Sequence, residues 1–102
     1  MRTVLAVSIL TIAAGCSSDP EIDATVLISN VRFDPPEVTI PVGGTVEWQF
    51  DDGGLLHEVH AEGVFDSGVN GDSTFRFTFD TPGDVEYQCS IHPYMSGTVH
   101  VG

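Results

Sequence analysis

The sequence predicts an all-β Greek-key sandwich of about seven strands. From residue 24 onward, apolar and polar residues alternate with a period of two, as in strands that cover one side of a core. Turns rich in Gly, Pro, Asp and Asn separate these segments, and no segment keeps a helical period. Short strands at this spacing are typical of a sandwich. The predicted strands are about 24–31, 37–40, 44–50, 57–61, 73–79, 84–89 and 97–101.

Alternation also predicts which side of each strand faces the core. We expect half-buried antiparallel strands, with Val46, Trp48 and Phe50 inward and Thr45 and Glu47 outward. The other residues predicted to face inward are Phe75, Phe77, Phe79, Val85, Tyr87, Cys89, Val99 and Val101.

The composition limits both the size of the fold and the class of partner. A chain of 102 residues allows one small domain. Its Lys+Arg count of 3, Asp+Glu count of 15 and net charge of -12 exclude a nucleic-acid-binding protein, which needs a basic surface. The charge also opposes direct contact with anionic lipid. The acidity fits two explanations equally, a basic redox partner or a solvation adaptation to a saline habitat.

Residues 1–15 are predicted to be a signal peptide of the lipoprotein type. An apolar run over residues 4–14 follows Arg2 and is too short to span a bilayer. The sequence Ala-Ala-Gly-Cys that ends at Cys16 resembles the site at which a bacterial lipoprotein is cut and lipidated, with Ala13 where Leu is usual.

Three expectations follow for the exported protein. Cys16 carries a lipid, residues 16–23 form a flexible tether, and residues 24–102 form the folded domain. The alternative is an ordinary secretory signal cut near Ala14. Both interpretations place the protein in the periplasm or at the cell surface, and the lipid would be its only contact with a membrane.

A candidate metal site lies near the end of the chain. Cys89, His92 and Met95 follow one another at two three-residue steps, on the loop between the last two predicted strands. A tight loop stiffened by Pro93 can turn the three side chains toward one point. Thiolate, imidazole and thioether are soft donors, and a second imidazole would complete the donor set of blue copper.

His57 is the candidate for the second imidazole. It shares the parity of Val59, which should face the core, so its side chain is expected to point inward at the start of a strand. His60 and His100 alternate with inward residues, and both are predicted to be surface histidines.

Residues 24–102 resemble a cupredoxin, closest to the amicyanin and plastocyanin-like branch. The matching segments are His57 after an Asp/Gly-rich turn, Phe65-Asp66-Ser67-Gly68, Phe75-Arg76-Phe77-Thr78-Phe79, Thr81-Pro82-Gly83, Tyr87-Gln88-Cys89 and His92-Pro93-Tyr94-Met95-Ser96-Gly97. The short gap between His92 and Met95 is amicyanin-like. The resemblance implies one copper ion held by His57, Cys89, His92 and Met95. It also implies a type 1 copper protein that shuttles single electrons and is not an enzyme.

The resemblance also implies where electrons pass. The loop histidine of the family is exposed, so His92 is the expected electron port, and Pro93, Tyr94 and Leu55 form a small apolar docking patch around it. We expect a monomer that meets a redox protein, either a basic cytochrome or a dehydrogenase or oxidase. Glu58 stands where many relatives have Asn, whose side chain links the two ligand loops, and this departure calls that hydrogen bond into question.

An extracytoplasmic copper carrier is the alternative function. Carriers favour open sites rich in Met and His, whereas this chain has two Met, one of them Met1. An enzyme with catalytic copper would need further histidine clusters, and the chain has four His in all. Met is a poor ligand for zinc, which argues against a structural zinc site.

Overall fold

The computed structural model describes residues 21–102, which fold into two β-sheets with a shared core. The strands are β1 (Ala24–Ser29), β2 (Arg32–Asp34), β3 (Glu37–Ile40), β4 (Gly44–Phe50), β5 (His60–Ala61), β6 (Phe65–Asp66), β7 (Thr74–Phe79), β8 (Gly83–Gln88) and β9 (Ser96–Val101). The sheet orders are β2-β1-β4-β7 and β3-β9-β8-β5-β6. The chain therefore crosses repeatedly between the sheets, and the predicted all-β sandwich is confirmed. Within residues 21–102, no helix is long and apolar enough to cross a membrane.

Aromatic rings dominate the core. Val46, Trp48 and Phe50 on β4 are buried, as their alternation predicted. The ring of Trp48 lies 5.3 Å from the rings of both Phe65 and Tyr87, measured between centroids. Removing such a side chain from water contributes about 1.5–3 kcal/mol to folding. Since Tyr87 precedes the end of β8 by one residue, this packing also holds the strand end that leads into the candidate metal site.

Two strand pairs are parallel, which corrects the expectation that all the strands are antiparallel. β1 runs parallel to β4, with Ala24 opposite Val46, and β3 runs parallel to β9, with Val38 opposite Val99. Alternation reports which face of a strand is buried but carries no information on the direction of its neighbour. Crossovers between the two sheets bring these strands together in the same direction.

The predicted outer face of β4 is also buried. Thr45 is 3% exposed and Glu47 is 9% exposed, because β4 is an inner strand of its sheet and its neighbours cover both residues. Glu47 accepts hydrogen bonds from Gln49 Nε2 at 3.1 Å and from Arg76 Nε at 2.9 Å, while Thr45 pairs with the hydroxyl of Thr78. The Gln49 contact, followed by Arg76, lowers the pKa of Glu47.

The predicted strand 24–31 is too long, because β1 ends at Ser29 and a tight turn at residues 30–31 leads into β2 (Arg32–Asp34), which was not predicted. Asn30 and Val31 both have φ of 54°, in the left-handed region, and the chain reverses there so that Leu27 lies opposite Asp34. Asn is common in this conformation, but a β-branched residue adopts it rarely. Because Val31 continues the apolar pattern of the strand, the sequence pattern did not indicate the turn.

The region between β4 and β7 is less regular than predicted. His57 forms only an isolated bridge with Asn70, each backbone N–H donating to the other's carbonyl at 2.9 Å, so the predicted strand 57–61 shrinks to β5. β6 was not predicted, because two residues are too few to show a period. β8 ends at Gln88, which leaves Cys89 as the first residue after the strand.

Candidate metal centre

The loop between β8 and β9 carries three of the four predicted ligands. Cys89 N–H donates to the carbonyl of Met95 at 3.1 Å, and Met95 N–H donates to the carbonyl of His92 at 2.8 Å. These two hydrogen bonds close residues 89–95 into a tight loop, so Cys89 and Met95 lie side by side at its base. Main-chain hydrogen bonds therefore give this loop the tight shape that the sequence predicted.

The two imidazoles and the thiol point at one another. The Cys89 Sγ lies 4.0 Å from His57 Nδ1 and 3.7 Å from His92 Nδ1, and the three ligand atoms all lie within 4.8 Å of one another. With metal–nitrogen and metal–sulfur bonds of about 2.0 and 2.3 Å, two ligands 120° apart are separated by about 3.7 Å. The spacing of these residues thus fits one metal ion in a trigonal His2Cys arrangement.

Burial differs sharply between the two histidines. His57 and Cys89 are 0% exposed and Met95 is 2% exposed, whereas His92 is half-buried. The inward orientation expected of His57 from its parity is therefore observed, together with buried Val59 and Ala61. The cluster meets solvent through the His92 ring, because its other members are enclosed by the sandwich.

Asp52 contacts one of the proposed ligands, and the sequence did not predict this contact. His57 Nε2 lies 2.9 Å from Asp52 Oδ2, while Nδ1 of the same ring faces the sulfur. The hydrogen bond from His57, followed by one from the Val31 N–H, lowers the pKa of Asp52. In the sequence Asp52 belongs to an Asp-Asp-Gly-Gly turn, which has the composition of any surface turn and carries no signal of a ligand contact.

Glu58 links the two ligand segments through its main chain. Its backbone N–H lies 3.4 Å from Cys89 Sγ. The Glu58 residue is half-buried. The Glu58 carboxyl, followed by the Gly68 N–H, holds the pKa of Asp66 below its usual value through hydrogen bonds. A hydrogen bond therefore still connects the two ligand segments, although position 58 is Glu where many relatives have Asn.

The docking patch expected around His92 is exposed. Leu55 is 45% exposed, Tyr94 is 74% exposed, and Pro93 is also an exposed residue. The ring centroid of Tyr94 lies 6.1 Å from that of His92. Two neighbours in sequence that the prediction omitted, Leu56 and Ile91, are exposed as well.

The remaining two histidines, which were predicted to lie at the surface, are not among the residues whose ligand atoms cluster. His60 and His100 are half-buried residues on strands of the five-stranded sheet. His100 bridges Asp84 Oδ1 at 2.8 Å and Glu37 Oε1 at 3.0 Å.

A β-sandwich that gathers a Cys, two His and a buried Met at the ends of its strands is the architecture of a cupredoxin. No protein-family model matches the chain. It is 34% identical to an amicyanin of Paracoccus versutus, over 83% of this chain and 70% of the relative. It is 33% identical to amicyanin-alpha of Methylorubrum extorquens, over 74% of this chain and 69% of the relative. The chain belongs to the amicyanin family of blue copper proteins, and its function is that of a type 1 copper electron carrier.

Solved structures support the same fold. A purple cupredoxin of Nitrosopumilus maritimus is 29% identical with a TM-score of 0.72, over 78% of this chain and all of that one. A copper-containing nitrite reductase of Thermus scotoductus is 32% identical with a TM-score of 0.72, over 89% of this chain but 25% of the reductase chain. This chain therefore corresponds to one cupredoxin unit of that larger enzyme.

Proposed function

We propose that His57, Cys89, His92 and Met95 hold the copper ion and that electrons reach it through His92. The burial of the donor set is the observation that carries this assignment, since only His92 meets solvent. When bound, copper supplies a one-electron couple between Cu(II) and Cu(I), and a carrier needs that couple with little rearrangement of its ligands. A site in which three of the four proposed ligands are enclosed suits this requirement.

The geometry of His92 supports its role as the electron port. Nδ1 faces the Cys89 sulfur at 3.7 Å, so the opposite edge of the ring is the part that reaches the surface. An electron passing through that edge crosses one imidazole between the partner and the copper. The docking patch of Leu55, Pro93 and Tyr94 offers the small apolar contact that transient redox complexes use.

Charge supports a basic partner. The chain has an Asp+Glu count of 15 against a Lys+Arg count of 3, so a partner with basic groups around an apolar contact is attracted over a long range. A small basic cytochrome has this chemistry, as would a dehydrogenase or oxidase with a basic rim. Such steering weakens as salt screens the charges.

Electron exchange with a basic c-type cytochrome tests the port and the patch. We expect Tyr94→Ala and Leu55→Ser to slow the second-order rate at least threefold without changing the visible spectrum. Val64→Ser is the matched control, because Val64 is a comparably exposed apolar residue that lines a surface depression with Pro82 and Gly83, away from the docking patch. Equal rates for the patch variants and the control would overturn the assignment of the patch.

The burial of the ligands argues against the copper carrier. A carrier must release its metal to an acceptor through ligand exchange, which requires an approach to the ion, and three of the four proposed ligands are enclosed. We expect a Cu(I) chelator to remove copper slowly compared with electron exchange. Rapid release of Cu(I) to the chelator, with no electron exchange, would favour the carrier instead.

We also propose that the protein is exported and held at a membrane by a lipid on Cys16. The support is the signal-like sequence of residues 1–15 and the tether composition of residues 16–23. Cys16 lies outside the residues that the structure describes. Expression of the full chain in a bacterial host tests the proposal: the mature protein should partition into detergent and carry acyl mass on Cys16, and Cys16→Ser should release it. Recovery of an unlipidated mature protein cut near Ala14 would favour the ordinary secretory signal.

A further inference from the structure

The buried histidine of the site is held by a carboxylate. His57 Nε2 lies 2.9 Å from Asp52 Oδ2, and Nδ1 of the same ring faces the Cys89 sulfur at 4.0 Å. A neutral imidazole that uses Nδ1 as a metal ligand carries its proton on Nε2. The proton therefore lies between His57 and Asp52, an arrangement in which a carboxylate fixes both the tautomer and the orientation of a metal-binding imidazole.

Asp52 is itself held by two main-chain donors. Asn30 N–H donates to Oδ1 and Val31 N–H donates to Oδ2, each at 3.0 Å. Two successive N–H groups directed at one carboxylate form a small anion-binding concavity. Both residues have φ of 54°, which is unusual for a β-branched residue such as Val31 and marks a backbone conformation maintained by its surroundings.

The Asp52 side chain is also partly shielded from solvent. It is 17% exposed, so solvent screens its charge less than that of an open surface carboxylate. Its contacts reach the β1–β2 turn on one side and the His57 ring on the other. A negative charge in this position lies one imidazole away from the Cys89 sulfur.

We propose that Asp52 is a positioning residue of the copper site, which locks the His57 ring through Nε2 and whose negative charge favours Cu(II) over Cu(I). This inference rests on the proposed function, because it requires copper bound to His57. The physical reason is electrostatic: a fixed negative charge stabilises the ion of higher positive charge more strongly. A carboxylate that accepts the Nε2 proton also makes Nδ1 a stronger donor to the metal.

Substitution of Asp52 by Asn separates charge from shape. Asp52→Asn keeps the size of the side chain and one acceptor oxygen but removes the negative charge. We expect the equilibrium between the two copper states to move about tenfold or more toward Cu(I), which raises the reduction potential by about 59 mV for each tenfold. Asp51→Asn is the matched control, since Asp51 is the adjacent exposed acid and its substitution removes the same net charge.

A second measurement does not require copper. In the copper-free wild-type protein, NMR should show a His57 Nε2–H resonance that exchanges slowly with water, because the proton is buried in the Asp52 hydrogen bond. Asp52→Ala should abolish this slow exchange, whereas Asp51→Ala should leave it unchanged.

The two experiments separate failure of this inference from failure of the proposed function. A visible copper band with equal potentials in Asp52→Asn and Asp51→Asn would overturn the role of the Asp52 charge. A His57 Nε2–H that exchanges rapidly in the wild type would overturn the positioning role. Absence of the copper band from the wild-type protein would instead reject the proposed function, and the NMR result would still report on the Asp52 contact.

Discussion

The backbone N–H of Glu58 lies 3.4 Å from the sulfur of Cys89 and is directed at it. This hydrogen bond joins the segment that carries His57 to the loop that carries the other three proposed ligands. Hydrogen bonds to a thiolate sulfur are among the interactions that tune a copper–cysteine site. Because the donor belongs to the main chain, the contact is available whatever side chain stands at position 58.

Substitution of Glu58 by Ala should therefore leave the copper site formed. We expect Glu58→Ala to keep the position and intensity of the visible copper band, since the N–H donor is retained. The measurement is the spectrum of the Cu(II)-loaded variant beside that of the wild type. A folded Glu58→Ala protein without the band would show that the Glu58 side chain, and not its main chain, maintains the site.

Gly97 is expected to tolerate no larger residue. A Cβ at this position would collide with the Tyr87 hydroxyl on β8 and lie 2.9 Å from the carbonyl oxygen of Pro36, the residue before β3. Overpacking of this kind costs about 1–3 kcal/mol. Gly97→Ala should lower the free energy of unfolding by that amount in urea denaturation. Addition of Tyr87→Phe should recover part of the loss, and no recovery would place the clash at the Tyr87 ring Cζ or at Pro36 instead.

His100 should make stability depend on pH. Hydrogen bonds from the imidazole to Asp84, and then to Glu37, raise the pKa of His100 above its ordinary value of 6.5. A raised pKa in the folded state adds stability that is complete below the unfolded pKa and is lost as the pH rises through the folded pKa. The three residues lie on β9, β8 and β3, so the protonated ring connects three neighbouring strands.

Comparison of the wild type with His100→Gln at several pH values measures this contribution. The difference in urea midpoint should be largest near pH 5.5 and should shrink by pH 9, when the ring is neutral in both states. NMR titration of the His100 ring should give a pKa above 6.5. A stability difference that grows with rising pH would contradict the assignment.

Tyr87 should remain protonated far into the alkaline range. Burial in the aromatic core raises its pKa to about 12 from 10.0. The chain has two Tyr, so in Tyr94→Phe the only phenol that titrates is that of Tyr87. Its absorbance titration should have a midpoint near 12, and stability should fall as the pH rises from 10 toward that value, because the unfolded state loses the proton first. A midpoint near 10 in the folded variant would show that the ring is solvated.

The sequence was sufficient to predict the β-sandwich and the inward orientation of His57 in the candidate site. Alternation placed Trp48 and Tyr87 in the core and turned His57 inward, because the period of a strand depends only on which face is buried. The spacing of Cys89, His92 and Met95 predicted a shared loop, since three-residue steps fit a tight turn. Both features depend on residues that are close together in the sequence, so the local sequence pattern is enough to predict them.

What escaped prediction depends on contacts between distant segments. The parallel pairing of β1 with β4 is set by crossovers between the sheets, and the burial of Glu47 is set by the strands on either side of it. The turn at Val31 was not predicted, because an apolar β-branched residue is typical of a strand and its turn conformation is maintained by Asp52, 21 residues further along the chain. Asp52 itself looked like an ordinary turn residue, since its role depends on the fold that brings it to His57.

The visible spectrum of the purified protein loaded with Cu(II) tests the central claim most directly. We predict an intense blue band that disappears on addition of one electron per protein, returns on reoxidation, and is absent from Cys89→Ser. The copper-free Cys89→Ser protein should remain folded, which far-ultraviolet circular dichroism can verify. A pale spectrum from folded, copper-loaded wild-type protein, or a blue band that survives in Cys89→Ser, would contradict the assignment of a type 1 site at His57, Cys89, His92 and Met95.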